Sequence, residues 1–274
     1  MTALVWPEGR RAAVSFTFDF DAESVWLAID PANAERPGVL SVGRYGAKVA
    51  VPLLLALLAR HGVKATFFVV GRNAELYPDR VAAILEGGHE IAVHGYTHTP
   101  PARLSPAAEE EELVKARTLL EAAGATIAGY RSPAWEVSPV SLDLLEKHGF
   151  LYSSQFMDDI RPYRHSGRSL VELPIQWLLD DWPHFQLAPG QMERPVQTTG
   201  AVETLWREEM DGIAALGGYA VLTMHPQVIG RPSRLALLDR LISYYAAQED
   251  LWIATCGEVA RHADQQLQAQ EHSA

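Results

Sequence analysis

Residues 13–20 read AVSFTFDF and run on into Asp21, Ala22, Glu23 and Ser24. β-Branched and aromatic residues dominate the stretch, and its alternation has the period of two that marks a strand. Seven further stretches read as strands: 64–70 (KATFFVV), 90–93, 127–131, 150–154, 170–175, 219–224 (YAVLTM) and 251–255 (LWIAT). Helical patterns lie between them, several with legible ends. Ser105-Pro106 opens a helix over 107–123, with Ser as N-cap and Pro in the first turn, and Gly124 closes it. Ser138-Pro139 opens another, ending near His148-Gly149. Three more are expected over 202–216, 233–247 and 257–270. The apolar run 49–59 is interrupted by Pro52 and reads as a buried helix that Gly62 ends. Strand and helix alternate about eight times, which predicts an α/β fold with a parallel sheet and outer helices. No Gly-rich phosphate loop is present. The expected architecture is therefore a distorted (β/α) barrel with seven or eight parallel strands, not a doubly wound sheet.

Composition narrows the range of functions. The chain has 274 residues, 48% hydrophobic and 21% charged, with 34 acidic against 23 basic residues and a formal net charge of −11. That balance argues against nonspecific nucleic-acid binding and against a polybasic membrane anchor. One cysteine, Cys256, excludes an internal disulfide framework and a Cys-rich zinc module. No run approaches the roughly 20 apolar residues of a membrane span. The start, MTALVWPEGRR, has no apolar leader, so a cytoplasmic location is expected. Residues 1–274 read as a single catalytic domain, with 264–274 as a frayed tail. Two longer segments, 22–46 and 177–195, follow strand C-terminal ends and are expected to wall a pocket.

Four clusters carry chemistry. Asp19 and Asp21 stand at i and i+2 at the end of the first strand, close enough to need a cation or an arginine between them. Taken alone, the pair reads equally well as a polar loop start. His94 and His98 in HGYTH have the spacing of two ligands of one metal if the chain makes a helical turn. Arg131 leaves the fourth strand in RSPAW, where a guanidinium can hold a carboxylate. His225 leaves the seventh strand in LTMHP and can act as a general acid or base. Each has an ordinary structural reading. Their joint placement at strand C-terminal ends is much harder to explain that way.

These motifs resemble the polysaccharide deacetylase family, carbohydrate esterase family 4, in the same order over most of the chain. The family's usual Thr-Phe-Asp-Asp-Gly appears here as TFDFDAES, with Phe20 between the acids. The later motifs appear as HGYTH, RSPAW and LTMHP. The inserted Phe20 and the segments LYSSQFMDDIRPY, PIQWLLDDWPHF and HPQVIGRPSR look like one branch of that family. It includes cytosolic peptidoglycan-deacetylase-like proteins, cyclic imide hydrolases and metal-independent allantoinases. The resemblance implies Asp21, His94 and His98 as metal ligands, Asp19 as general base, His225 as general acid and Arg131 as the group orienting Asp19. It implies a divalent metal, zinc by default, with Co, Ni, Fe or Mn admitted by mixed N/O ligation. A backbone N–H near Ala134 or Trp135 is a candidate oxyanion donor. Glu23, Trp135, Asp180 and Asp181 are candidate substrate contacts. Trp177, Trp182 and Phe185 read as packing residues, Asp158, Asp159 and Arg161 as a polar wall or subunit contact, and the stripe 109–112 as a solvated helix face.

Three functions compete. One is N-deacetylation of an N-acetylated glycan. The second is hydrolysis of a small cyclic amide, imide or ureide. The third is noncatalytic metal or carbohydrate binding, which is disfavoured because every catalytic role has an occupant. The expected partners are a small-molecule or soluble glycan substrate and further copies of the chain in a dimer or tetramer, with neither nucleic acid nor membrane.

Overall fold

The computed structural model describes residues 4–186 and 195–271. Strand β1 (Ala12–Phe20) is buried along its whole length, because both of its faces are covered. It pairs in parallel with β2 (Thr66–Val69) through Thr17 to Phe20, with β8 (Tyr219–Met224) through Ala13 to Phe18, and with β9 (Leu251–Ile253) through Ala12 to Val14. From β2 the sheet continues in parallel through β3 (Glu90–Val93), β4 (Gly129–Tyr130), β5 (Tyr152–Ser153) and β7 (Val171–Glu172). The strand β6 (Tyr163–Arg164) runs antiparallel on the far edge of β7. All eight expected strands are present, several of them shorter than their sequence patterns. The ninth, β6, was not expected: two half-buried residues after a proline carry no alternation.

The sheet curls into an incomplete barrel. Loop residues cross the gap beside β8: Tyr219 N–H donates to Ile160 O at 2.8 Å, and Asp180 pairs with Thr223 in a single parallel bridge. Outward-facing Phe16, Phe18, Phe20, Phe67, Val69, Leu222 and Met224 pack under the helices with Leu54, Leu58, Ile84, Trp206 and Leu238. Each fully buried large apolar side chain contributes about 1.5–3 kcal/mol relative to exposure. Inward-facing Ala13, Phe68, Ala92, Tyr152, Val171 and Tyr219 fill the lower barrel. Only glycine fits at 129, because a Cβ there would lie 1.8 Å from the Tyr152 ring. Trp6 and the helix Cys256–Glu271 close the end where the strands begin.

Two expectations about helices are corrected and one is extended. The run 49–59 is helical and ends at Gly62 (φ +65°) as expected, but it is the last part of one continuous helix, Pro37–His61, which by length and composition alone could cross a membrane. Its Val51, Leu54, Leu57 and Leu58 are buried. Pro52 does not break it, because a π-turn over Gly46–Ala50, with Val51 N–H donating to Gly46 O, precedes the ring. The helix after Ser138 begins only at Ser141, with Ser138 and Pro139 in its approach turn. Residues 264–271 are helical to Glu271, since Ala263 is buried, Leu267 packs on the inner cluster and Asp264 pairs with Arg164 at 2.5 Å. Of the segment 177–195, residues 187–194 lie outside the described residues, as do 272–274.

Candidate metal centre and catalytic cleft

Inward-facing positions change from apolar at the bottom of the barrel to polar and then ionisable at the top. Along β1 the series runs Ala13, Ser15, Thr17, Asp19; along β8 and beyond it runs Tyr219, Val221, Thr223, His225. At the level of Thr17 lies Arg131, fully buried and stacked over the Phe68 ring at 3.9 Å. All three nitrogens of its guanidinium donate. Nη1 donates to Thr17 Oγ1 at 2.9 Å and to Asp19 Oδ1 at 2.8 Å, and Nε and Nη2 donate to Ser154 O and Oγ. Burial alone would raise the Asp19 pKa. Arg131, with His94 and His225, outweighs burial and holds it below the ordinary value.

Above Arg131, Asp21, His94 and His98 bring ligand atoms within 4.8 Å of one another. Asp21 Oδ1 is buried and has no hydrogen-bond partner. It lies 3.6 Å from His94 Nε2 and 3.7 Å from His98 Nε2, too far for hydrogen bonds and suited to a cation held between them. His94 Nδ1 sits 2.8 Å from Arg131 O, which selects the tautomer with a free Nε2 lone pair. Burial lowers the pKa of both histidines, that of His98 strongly, so they stay neutral as metal binding requires. Burial raises Asp21 to about 8, and Asp19 adds to the rise. A buried carboxylate of this kind is at its best beside a cation, so the donor set fits a divalent metal.

His225 faces Asp21 from the other side, with Nε2 3.9 Å from Asp21 Oδ2. Asp181 holds it from behind: Oδ1 lies 2.7 Å from Nδ1, and Oδ2 accepts the His225 backbone N–H at 2.9 Å. Burial opposes protonation of His225, but Asp181 and Asp180 raise its pKa well above the ordinary value. Asp180 lines the cleft and is raised to about 7, mainly by burial.

The cleft above these groups has a volume of about 370 Å³, in the range of small-molecule sites. Its walls are Val25, Ala28 and Ile29 from the segment 22–46, Pro100 and Arg103 from the loop after His98, Ala134 and Trp135, then Trp177 and Trp182. Trp135 stacks on Trp177 with centroids 4.1 Å apart. Among the described residues five non-glycine residues have positive φ, and four of them, Ala22, His98, Ala134 and Trp135, belong to the cleft or adjoin its ligands. Backbone strain thus collects where side chains must be aimed.

Several expected residues take other positions. The two histidines converge through a loop bent at Gly95 (φ +67°) and His98 (φ +66°), not through a helical turn. Asp181 is fully buried behind His225 and is not on the cleft wall. Glu23 is not among the lining residues and accepts the Tyr77 hydroxyl at 2.6 Å. The Trp135 backbone N–H is already committed to Ser132 O at 3.0 Å. Asp158 and Asp159 bind within their own loop, and Arg161 reaches Leu216 O. Trp177 is exposed to 47% and belongs to the cleft mouth, not to the packing. The stripe 109–112 is not a solvated face throughout. Glu109 is buried on Ser138 and Ser141, and Glu112 accepts the Tyr96 and Thr97 N–H groups, which braces the loop carrying His98. Gln227 was not singled out in the sequence, yet its Nε2 donates to Asp21 Oδ2 at 3.3 Å. Its place two residues after His225 was the only available signal.

Comparison with known proteins follows the same lines. Residues 11–153 match the family model described as polysaccharide deacetylase. The peptidoglycan deacetylase of Helicobacter pylori is 28% identical, over 92% of this chain and 96% of its own. A Mycobacterium smegmatis protein of known structure, assigned to the polysaccharide deacetylases, is 41% identical with a TM-score of 0.93, covering 97% of this chain and 94% of its own. The structure of Puue allantoinase shares the fold, with a TM-score of 0.81 at 24% identity, covering 94% and 91%.

Proposed function

The chain belongs to the polysaccharide deacetylase family, metal-dependent hydrolases of nonpeptide carbon–nitrogen bonds, and from that premise we propose how its own residues divide the work. Asp21, His94 and His98 hold the metal. A divalent cation there supplies Lewis-acid polarisation of the substrate carbonyl and lowers the pKa of water. Asp19, kept ionised by Arg131, removes a proton from the attacking water. His225, charged against Asp181, stands across the site and delivers a proton to the departing nitrogen. Once the new C–O bond has formed, the C–N bond breaks, giving a carboxylate and an amine from a simple amide, or a carboxylate and an amide or urea from an imide or ureide ring. The observation that carries this reading is the placement of base and acid. A carboxylate with a depressed pKa and an imidazole with a raised one flank a single cluster of unpaired ligand atoms. Zinc is the proposed metal.

We place the substrate among small or soluble amides and imides. The cleft's size and its aromatic, largely apolar walls support one or two rings better than a long polymer groove. The end-to-end match to a peptidoglycan deacetylase favours an N-acetylated sugar as the second reading. One assay separates them. Metal-loaded protein is compared on N-acetylated chitooligosaccharides and on succinimide, hydantoin and allantoin rings. Turnover of the rings alone supports the first reading and turnover of the sugars alone the second. Loss of activity in chelator and its return with metal tests both, and a rate indifferent to chelator would reject the shared mechanism.

A further inference from the structure

We propose that Arg103 is an anion-recognition point at the rim of the cleft, and that the substrate carries a carboxylate in addition to the amide that is cleaved. The inference rests on the amide-hydrolase reading and adds to it the substrate's charge. Among the described lining residues Arg103 is the one permanent cation, against Asp19, Asp21 and Asp180 on the floor. Arg131 lies below the floor and has its donors committed. Arg103 is exposed and makes no ion pair among the described residues. Among the described residues its side chain makes one hydrogen bond, a long one from Nη1 to Ala28 O at 3.4 Å across the rim. The rest of the fork is available to a carboxylate, which a planar guanidinium binds in bidentate fashion.

The loop gives this cation a fixed place. Pro100 and Pro101 precede it, Arg103 N–H donates to Pro100 O at 2.9 Å, and Glu112 clamps the start of the loop at Tyr96 and Thr97. Four residues lie between His98 and Arg103, so their Cα atoms are five steps and at most about 18 Å apart, and both residues line the same cleft. A molecule that fills the cleft can therefore reach both the rim and the floor. A net charge of −11 repels anions at long range, and the floor carboxylates repel them at short range. An anionic substrate is thus oriented with its carboxylate at Arg103 and its amide at the floor.

The test uses two pairs of probes that differ by one carboxylate. N-acetylglucosamine oligomers are set against oligomers containing N-acetylmuramic acid, and hydantoin against hydantoin-5-acetic acid. In metal-loaded wild type, kcat/KM should favour the carboxylated member of one pair by about tenfold or more, mostly through KM, as a charge-assisted hydrogen bond requires. The responding pair identifies the source as a sugar acid or an acidic ring. Arg103→Met and Arg103→Glu should bring that ratio close to one, and Arg103→Lys should retain part of it. A wild-type ratio near one in both pairs, or a preference that survives Arg103→Met, overturns the proposal. The same probes are titrated calorimetrically into metal-loaded Asp19→Asn protein, with and without Arg103→Met. A carboxylate preference in binding that depends on Arg103, with no probe turned over by metal-loaded wild type, upholds the rim site and counts against the amide-hydrolase reading. Equal affinities counts against the rim site whatever the turnover.

Discussion

In the proposed mechanism Asp19 and Gln227 act on the Asp21, His94, His98 group by different routes, and substitution separates them. Asp19 is outside the Asp21, His94, His98 group, and its Oδ1 is held by Arg131. Asp19→Asn keeps the shape and removes the basic oxygen. Bound metal should stay at the wild-type level while kcat falls by about 10²–10⁴, the usual contribution of a general base. Metal analysis beside steady-state kinetics decides it, and a full rate in the variant would remove Asp19 from the mechanism. Gln227 donates to Asp21 Oδ2 and so turns Oδ1 toward the histidines. Gln227→Ala should weaken metal binding about 10–100-fold, the range seen when an outer-shell partner is lost. A chelator competition titration with unchanged affinity would make Gln227 a packing residue only. Asp19, Asp21, His94, His98, Arg131 and His225 were legible because each ends or follows a strand with a recognisable pattern. Gln227 and Glu112 were not, because their partners lie 206 and 15 or 16 residues away and no local pattern links them.

At the scale of elements, the sequence pattern worked best where a strand packs on both sides. The phenylalanines of β1 and the run YAVLTM of β8 were readable end to end, since each residue meets an apolar layer. Where pairing shrinks to two residues, as in β4, β5 and β7, the apolar pattern continues beyond the hydrogen-bonded part and exaggerates strand length. The aiming of His98 depends on a positive φ, which histidine adopts more readily than most residues but which its presence alone announces only weakly. The entry to β3 carries a feature that pH should expose. Burial, helped by Lys64, lowers the His89 pKa from 6.5 to about 4. The unfolded chain therefore takes up this proton at higher pH than the folded one. The stability from keeping His89 neutral is complete above about pH 6.5 and drains away as pH falls toward 4. His89→Gln should flatten that part of a plot of unfolding free energy against pH, measured with urea. An unchanged slope between pH 6.5 and 4 would assign the acid sensitivity to other groups.

Over the whole molecule, stability and function pull in opposite directions at one end of the barrel. The lower barrel is filled by apolar contacts and satisfied hydroxyls, such as Ser15 bonded to Ala254 O and Tyr219 to Ser15. The upper end concentrates Asp19, Asp21, Asp180 and Asp181, all at most 2% exposed, around two neutral histidines and one charged one. Such an arrangement costs stability in the apo fold, and the cation binding proposed above would offset that cost. A ligand that binds only the folded chain stabilises it by about 2.7 kcal/mol at a hundred times its Kd. For a chain of 274 residues that corresponds to a rise in Tm of roughly 5 °C. Chelation should lower the wild-type Tm by that amount, and added metal should restore it. Asp21→Asn removes the buried carboxylate whose Oδ1 has no partner. Its Tm in chelator should exceed that of wild type in chelator, and metal should no longer raise it. Differential scanning calorimetry on the four samples is sufficient. If Asp21→Asn were less stable than apo wild type, or still gained stability from metal, the upper barrel would be a structural polar network, and the cost of the metal centre would lie elsewhere in the fold.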